Sequence, residues 1–280
     1  RDLTRARKQL VRELVQHVQR IQKTLEDANI KLTEVVSDVM GTTGRAIVSA
    51  LIAGESDPQV LARLAHPRLQ TPREQLVEAL RGRVRPHHRF MLRLHLEQVQ
   101  ALEASIGKLE QHLETVIEPF RESVELVSTI PGVKDIVAQV IVAEIGVDMA
   151  RFPTAAHLVS WARLCPRMDQ SAGKRRSTRI RKGACWLKTA LVQAAWSAVR
   201  VQDSYLRAQF HRLRSRRGPK KAIVAVAASM LTAIYYMLQR RVPYQDLGHD
   251  YFDRQDKEAV VRRLARRIRN LGYEVEVRAA

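Results

Sequence analysis

A polar stretch, Asp169-Gln170-Ser171-Ala172-Gly173, runs into Lys174, Arg175, Arg176, Arg179, Arg181 and Lys182 with no acid among these cations. A serine hydroxyl beside a glycine, facing a cationic strip, is a place where a nucleic-acid backbone can be held and its phosphorus attacked. Guanidinium and ammonium groups hold phosphate oxygens through charge-assisted hydrogen bonds. A serine is a poor nucleophile until a base or a metal activates it. No base stands at a fixed spacing: His157 is the nearest upstream histidine, and a polar helix face accounts for it. Most loop serines are exposed turn residues, so Ser171 draws its weight from its neighbours.

A second phosphate-facing feature lies upstream. Ile130-Pro131-Gly132-Val133 makes a tight turn, because Pro131 stops one helix and Gly132 accepts the dihedrals a hairpin needs. Residues 134–145 then resume helical spacing, with Ile136, Val140, Ile141 and Ile145 on one face. Such a helix-hairpin-helix points the free N–H groups of a helix N-terminus outward, so Gly132 and Lys134 join the candidate nucleic-acid contacts. Pro-Gly between helices is common, and the turn gains meaning from the cations near it.

Other constellations are weaker. Glu144 and Asp148 read as a surface pair at a helix end. Asp246, Asp250 and Asp253 have cation-like spacing in an irregular tail, and no carboxylate set is convincing for Mg²⁺. The histidines form neither H-E-x-x-H nor a Cys/His zinc pattern. Trp161, Trp186 and Trp196 could stack on bases, but their apolar helices point to core packing.

The elements that must position these residues are helical. A chain of 280 residues can bury one or two cores. Its net charge of +19 points to nucleic acid before an acidic membrane surface. No apolar run reads as a membrane span; 222–238, with Ser229, Thr232 and two tyrosines, reads as a buried helix. Cys165 and Cys185 lack metal-ligand spacing and suit a reducing cytoplasm. Residues 1–40 predict one long helix with a coiled-coil stripe from Leu10 to Leu32, ended by Gly41 as C-cap. Short helices follow at 45–53, at 57–64 capped by Asp57 with Pro58, and at 71–81 capped by Thr71 with Glu74 in a capping box. Residues 85–88 read as a turn before a second long helix, 89–117, with the same heptad pattern. The domains expected are a coiled-coil hairpin with a small helical insert (1–118), a helix-hairpin-helix domain (119–240) and a basic tail (241–280). The tail should pack loosely and end in an edge strand at 273–277. Whether the coiled coil pairs within one chain or between two stays open.

The ordered series IPGVKDIVAQVIVAEIG, FPTAAHLVSWARLCPR, SAGKRR…RIRKG and LVQAA resembles the C-terminal transposase domain of the insertion-sequence "one-ten" family, bridge-RNA-guided DNA recombinases. The likeness covers about residues 128–238, and the preceding coiled coil fits the family layout. It implies a serine nucleophile just before the loop glycine, which here is Ser171, with Ser177 as runner-up. The family loop often reads Ser-Ser-Gly; this chain has Ser171-Ala172-Gly173. It further implies a DNA partner, a guide RNA, homo-oligomers and a bacterial cytoplasmic, nucleoid-associated location. Mg²⁺ would be bound by the acids of a RuvC-like domain that this chain lacks. The chain opens on Arg1 in helical sequence, so an upstream segment is expected, and these 280 residues alone should bind nucleic acid without recombining it.

The fold class expected is therefore all-α: a long coiled-coil hairpin followed by a helical domain with a helix-hairpin-helix. The alternative function is a non-catalytic helix-hairpin-helix DNA or RNA binder dimerised by the coiled coil; a third is a structural coiled coil kept soluble by its charge. Salt separates the third from the others. Six phosphate contacts would give a log–log slope of affinity against salt of about −5 on duplex DNA. Binding titrations between low and physiological salt should show that slope, whereas absent or salt-insensitive binding would leave the structural reading.

Overall fold

The computed structural model describes residues 1–166, 169–177, 179–180 and 186–278. The described chain is all-α apart from one two-stranded hairpin. It divides into two compact units, Asp2–Val116 and Ile117–Ala280, with Arg1 grouped with the second.

In the first unit α1 (Asp2–Asp27) stops well short of residue 40. Asn29 takes φ 58, in the left-handed region, which Asn tolerates better than most residues and which no helix continues through. After the short α2 (Leu32–Val35), α3 (Thr42–Ala53) begins with Gly41 at its N-cap, not at the C-cap of α1. Helix α4 (Pro58–Arg63) starts as the sequence predicts, with the Asp57 carboxylate accepting from Gln59 N at 2.9 Å. Helix α5 (Arg73–Ala79) has Pro72 at its N-cap without a side-chain bond; Thr71 instead donates its hydroxyl to Val35 O at 2.8 Å.

Helix α6 (Pro86–Ile117) takes in the expected turn at 85–88, because proline suits a first helical turn. The imidazole of His88 accepts from Arg85 N at 3.2 Å and ties down that start. Helices α1 and α6 run antiparallel within the chain: Arg7 Nε donates to Glu110 Oε1 at 2.7 Å, and His17 Nδ1 meets His95 Nδ1 at 3.2 Å. Ile21, Leu25, Leu92, Leu96 and Val99 are buried with the small helices, whereas Leu10, Leu14, Leu102 and Ile106 stay half-buried. Val116, expected on the apolar stripe, is exposed, and Ile117 is buried in the core of the second unit.

The second unit opens with a single turn at Glu118–Phe120 and then α7 (Arg121–Ser128), the turn at 129–134 and α8 (Asp135–Ile145). Another turn at Met149–Arg151 leads to α9 (Ala155–Trp161), capped by the Thr154 hydroxyl. A β-hairpin follows, β1 (Asp169–Ser171) and β2 (Lys174–Ser177), where the sequence reads as a loop. Then come α10 (Trp186–Ala198), α11 (Tyr205–Arg217) and α12 (Pro219–Arg240). Helix α12 is the post against which α7, α9, α10 and α11 pack. It is long and apolar enough to cross a membrane by length and composition, and 56 % of its most apolar window is buried in this core. Helices α10 and α12 pack together, and buried alanines lie on both, Ala190, Ala194 and Ala198 on α10 and Ala222 and Ala227 on α12.

The tail is less loose than its composition suggests. Tyr244 is partly buried, and its N–H donates to Thr129 Oγ1 at 2.9 Å. In α13 (Tyr251–Gln255), Phe252 stacks on Tyr205 at 5.3 Å and carries the Arg212 guanidinium 4.6 Å from its ring centre. Helix α14 (Lys257–Arg269) follows, and residues 273–277 form no strand. Burial pushes the Tyr244 phenol, and to a lesser degree that of Tyr205, above the ordinary value.

Burial, followed by neighbouring His17 and Arg20, holds His95 below its usual pKa. Burial also lowers His88, against a smaller pull upward from Asp27. A histidine whose folded pKa is depressed contributes stability that is full above the unfolded value of about 6.5 and is lost as pH falls through the folded value. Thermal melts in phosphate-free buffer should therefore show a falling midpoint from pH 7.5 to pH 5. His95→Gln, which cannot take the proton, should flatten that slope; an unchanged slope would show that His95 does not gain a proton on unfolding.

Candidate nucleic-acid interface

Between α9 and α10 lies the β-hairpin, and a bridge pairs Pro166, before β1, with Ile180, after β2. Within it Ser171 pairs with Lys174 and Asp169 with Ser177, with a bulge after Asp169. The two residues at the tip, Ala172 (φ 50) and Gly173 (φ 74), both have positive φ. That is the pattern of a two-residue I′ turn, whose twist matches the strands it joins. A Cβ added to Gly173 would meet nothing within 4 Å, so the tip stands in the open.

This geometry separates the two serines. Ser171 ends β1, exposed, directly across from exposed Lys174. Ser177 ends β2, partly buried, and its hydroxyl already accepts from Arg179 N at 3.2 Å. Arg175 and Arg176 belong to β2 by backbone, and Arg179 is exposed just beyond it. Arg181 and Lys182 lie outside the described residues. Among the described residues no histidine or carboxylate is paired with the Ser171 hydroxyl. His157 is exposed on α9 with its Nδ1 2.8 Å from Thr154 Oγ1.

Gly132 and Lys134 lie elsewhere in the unit. Gly132 has φ +80, and a Cβ there would come within 2.4 Å of Ala198 N and 2.6 Å of Ala194 O. The turn therefore rests directly on the backbone of the C-terminal half of α10, while the chain from the β-hairpin enters that helix at Trp186. Eight residues of helix, about 12 Å, separate Trp186 from Ala194. Lys134 is the N-cap of α8, exposed, with no side chain capping the first turn. Lys134 O accepts from Val137 N and Ala138 N, each at 2.9 Å, and the carboxylate of exposed Asp135 accepts from Gln139 Nε2 at 2.6 Å. The apolar face of α8 is also rotated from the sequence reading. Ala138, Ile141, Val142 and Ile145 are buried, and Ile136 is 51 % exposed because it precedes the segment that α10 covers.

The carboxylates take structural roles. Glu144 is 3 % exposed, not a surface residue, and is not free. Asp148 accepts from Ala150 N at 3.0 Å. Asp246 accepts from Tyr205 N and Gly248 N, while Asp250 and Asp253 pair with Arg254 and Arg263. Among the described residues no cluster of His, Cys, Asp or Glu could hold a metal ion, so Mg²⁺ has no fitting site there.

The tryptophans depart from the core packing expected of them. Trp161 and Trp196 are 45 % and 42 % exposed, each resting one side on a phenylalanine, Phe152 at 5.7 Å and Phe210 at 5.6 Å. The signal was available: position 196 falls off the stripe 187, 190, 191, 194, 195, 198 that α10 buries. Phe210 belongs to α11, which with the start of α12 carries Arg207, Arg212, Arg214, Arg216, Arg217, Lys220 and Lys221, so Trp196 offers an open ring face beside a second cationic surface.

Residues 124–211 match the family model described as transposase IS116/IS110/IS902 family. The match runs from α7 through the turn at Gly132, the β-hairpin and α10 into α11, and this segment is similar to DNA transposases. No curated protein matches the chain.

Gly132 is the position in this segment where a methyl group cannot be accommodated. Gly132→Ala adds left-handed strain to a backbone collision and should cost roughly 3 kcal/mol or more. Gly173→Ala, in open space, should cost only about 1–2 kcal/mol. Denaturant midpoints of the two variants test the ranking, and equal losses would mean that the turn does not rest on α10.

Proposed function

We propose that the chain is part of a DNA transposase whose residues 119–240 hold nucleic acid through a helix-hairpin-helix and a cationic β-hairpin, with Ser171 as the nucleophile. The observation that carries this reading is the placement of Ser171. It lies inside the segment that resembles transposases, on an exposed tip, opposite Lys174 and followed by a run of arginines.

The chemistry is a phosphodiester exchange. Ser171 Oγ attacks a DNA phosphorus, an Oγ–P bond forms, and the bond from phosphorus to a deoxyribose oxygen breaks. The hydroxyl's proton leaves to a base, and the departing sugar oxygen takes one up. One phosphodiester replaces another, so the linkage is retained and a second hydroxyl can reverse the exchange. Lys174, Arg175, Arg176 and Arg179 would hold the nonbridging oxygens and offset the charge that builds on them. Arg181 and Lys182 extend the same cationic run in sequence. Ser177 is the less suitable nucleophile, since its oxygen is engaged and partly buried.

The base, and any Mg²⁺, are assigned to a RuvC-like domain outside these residues, in keeping with the family that the segment resembles. On the same reading the assembly is a homo-oligomer that uses a guide RNA and works at bacterial DNA in the cytoplasm. A binder without catalysis is the second reading, favoured by the absence of any described base at Ser171.

The test uses the protein with its N-terminal domain, RNA, Mg²⁺ and a labelled DNA target. A denaturation-resistant protein–DNA adduct should map to Ser171 by mass spectrometry and vanish in Ser171→Ala. An adduct on Ser177 would move the nucleophile by six residues. Cleavage that continues unchanged in Ser171→Ala, without an adduct, would overturn serine attack.

A further inference from the structure

The first unit contains a groove of about 620 Å³ between the second half of α1 and the start of α6. That volume is in the range of sites that enclose a small ligand. Its lining is unusual for a solvated helix face. Arg20 and Lys23, three apart and therefore neighbours on α1, stand exposed on one side. His87, His88 and His95 line the other, and His88 and His95 are only 8 % and 7 % exposed. Asp27 is the one carboxylate.

We infer that this groove is a second phosphate-binding site of the chain, one that takes the backbone phosphates of a nucleic acid. Three features point the same way. The first is the pair of exposed cations. The second is the start of α6, a 32-residue helix with no acid in its first turn, whose His87 and His88 line the groove. The third is the imidazole of buried His95, which meets that of half-buried His17. The Nδ1 atoms of His17 and His95 lie 3.2 Å apart, so one must donate to the other. When His17 donates, the N–H of His95 is left on Nε2. When an anion draws in one more proton, the pair shares a proton between its Nδ1 atoms and both Nε2 atoms become donors. An empty groove favours neutral rings, and a phosphate favours the charged pair.

The charged surroundings fit this polarity. His95 faces His17 and Arg20. His88 faces His87 and Arg85, while a backbone hydrogen bond at Arg83 and the Asp27 carboxylate pull toward protonation. Without an anion these cations oppose protonation of both rings; a bound phosphate would reverse the balance. The site lies wholly within Asp2–Val116 and uses none of the residues assigned to the serine chemistry.

The test follows the histidine Cε1–H resonances of the whole 280-residue chain through a pH titration. It is run in the absence of ligand, with inorganic phosphate, and with a short oligothymidylate. His95→Gln assigns the key signal. Ligand should shift the His95 titration upward by about half a pH unit or more. Arg20→Ala and Lys23→Ala, both at exposed positions, should each weaken that ligand's binding by about tenfold. A shift with both ligands supports backbone binding. A shift with inorganic phosphate alone supports a phosphate site but assigns it to a small free anion, overturning the nucleic-acid source. No shift with either, or a shift unaltered in both cation variants, overturns the site. Loss of the Ser171 adduct reaction would leave these signals unchanged, so the two readings fail separately.

Discussion

The close approach of the Gly132 turn to the backbone of α10 is the contact on which the second unit depends. It requires a residue without Cβ at 132 and alanines at 194 and 198 beneath it. Once the turn is seated, α8 lies along α10, α7 reaches α12, and α10 is clamped between the turn and α12. Dispersion forces fall off steeply with separation, so small residues on facing helices contribute by letting many backbone and side-chain atoms meet at once.

Helical periodicity and proline placement made much of this fold legible. The α1 and α6 stripes, the Asp57–Pro58 start of α4 and the Pro131-Gly132 turn all follow from local rules. Where the reading failed, a nonlocal contact won over a local one. Thr71 has the sequence of an N-cap but donates to Val35 across the insert. Gly41 has the sequence of a C-cap, yet a Cβ at Gly44 would lie 2.1 Å from Val39 O, so the 38–44 segment folds back and Gly41 begins a helix. The β-hairpin escaped notice because its strands are polar throughout and lack the apolar alternation that marks a half-buried strand. Ala172 also occupies a turn position that Asn or Gly usually signals.

At the candidate interface the sequence conveyed charge but not arrangement. It grouped Gly132 and Lys134 with the cationic strip, whereas the Gly132 turn rests on the C-terminal half of α10 and the strip belongs to a separate β-hairpin. A surface with cations at several stations and an aromatic between them suits a backbone track in which stacking adds to phosphate contacts. Individual exposed cations contribute little in water, so such a track works through the number of phosphates it meets together.

The tip of the β-hairpin follows a different logic from the core. Ala172 in the left-handed region costs about 1–2 kcal/mol that glycine would spare. The strain is local, and the four-residue strand β2 and the Pro166–Ile180 bridge hold the conformation. A methyl group at 172 offers no hydrogen bond to compete for the Ser171 hydroxyl, and Gly173 keeps the space beside it open. Ser171 at this tip is exposed, and no described histidine or carboxylate is paired with its hydroxyl. Its strand pairing with exposed Lys174 places a cationic residue at the same tip. The hairpin is therefore suited to insertion into a site completed by other groups, where removal from water would strengthen the electrostatic contacts that are weak at the exposed tip.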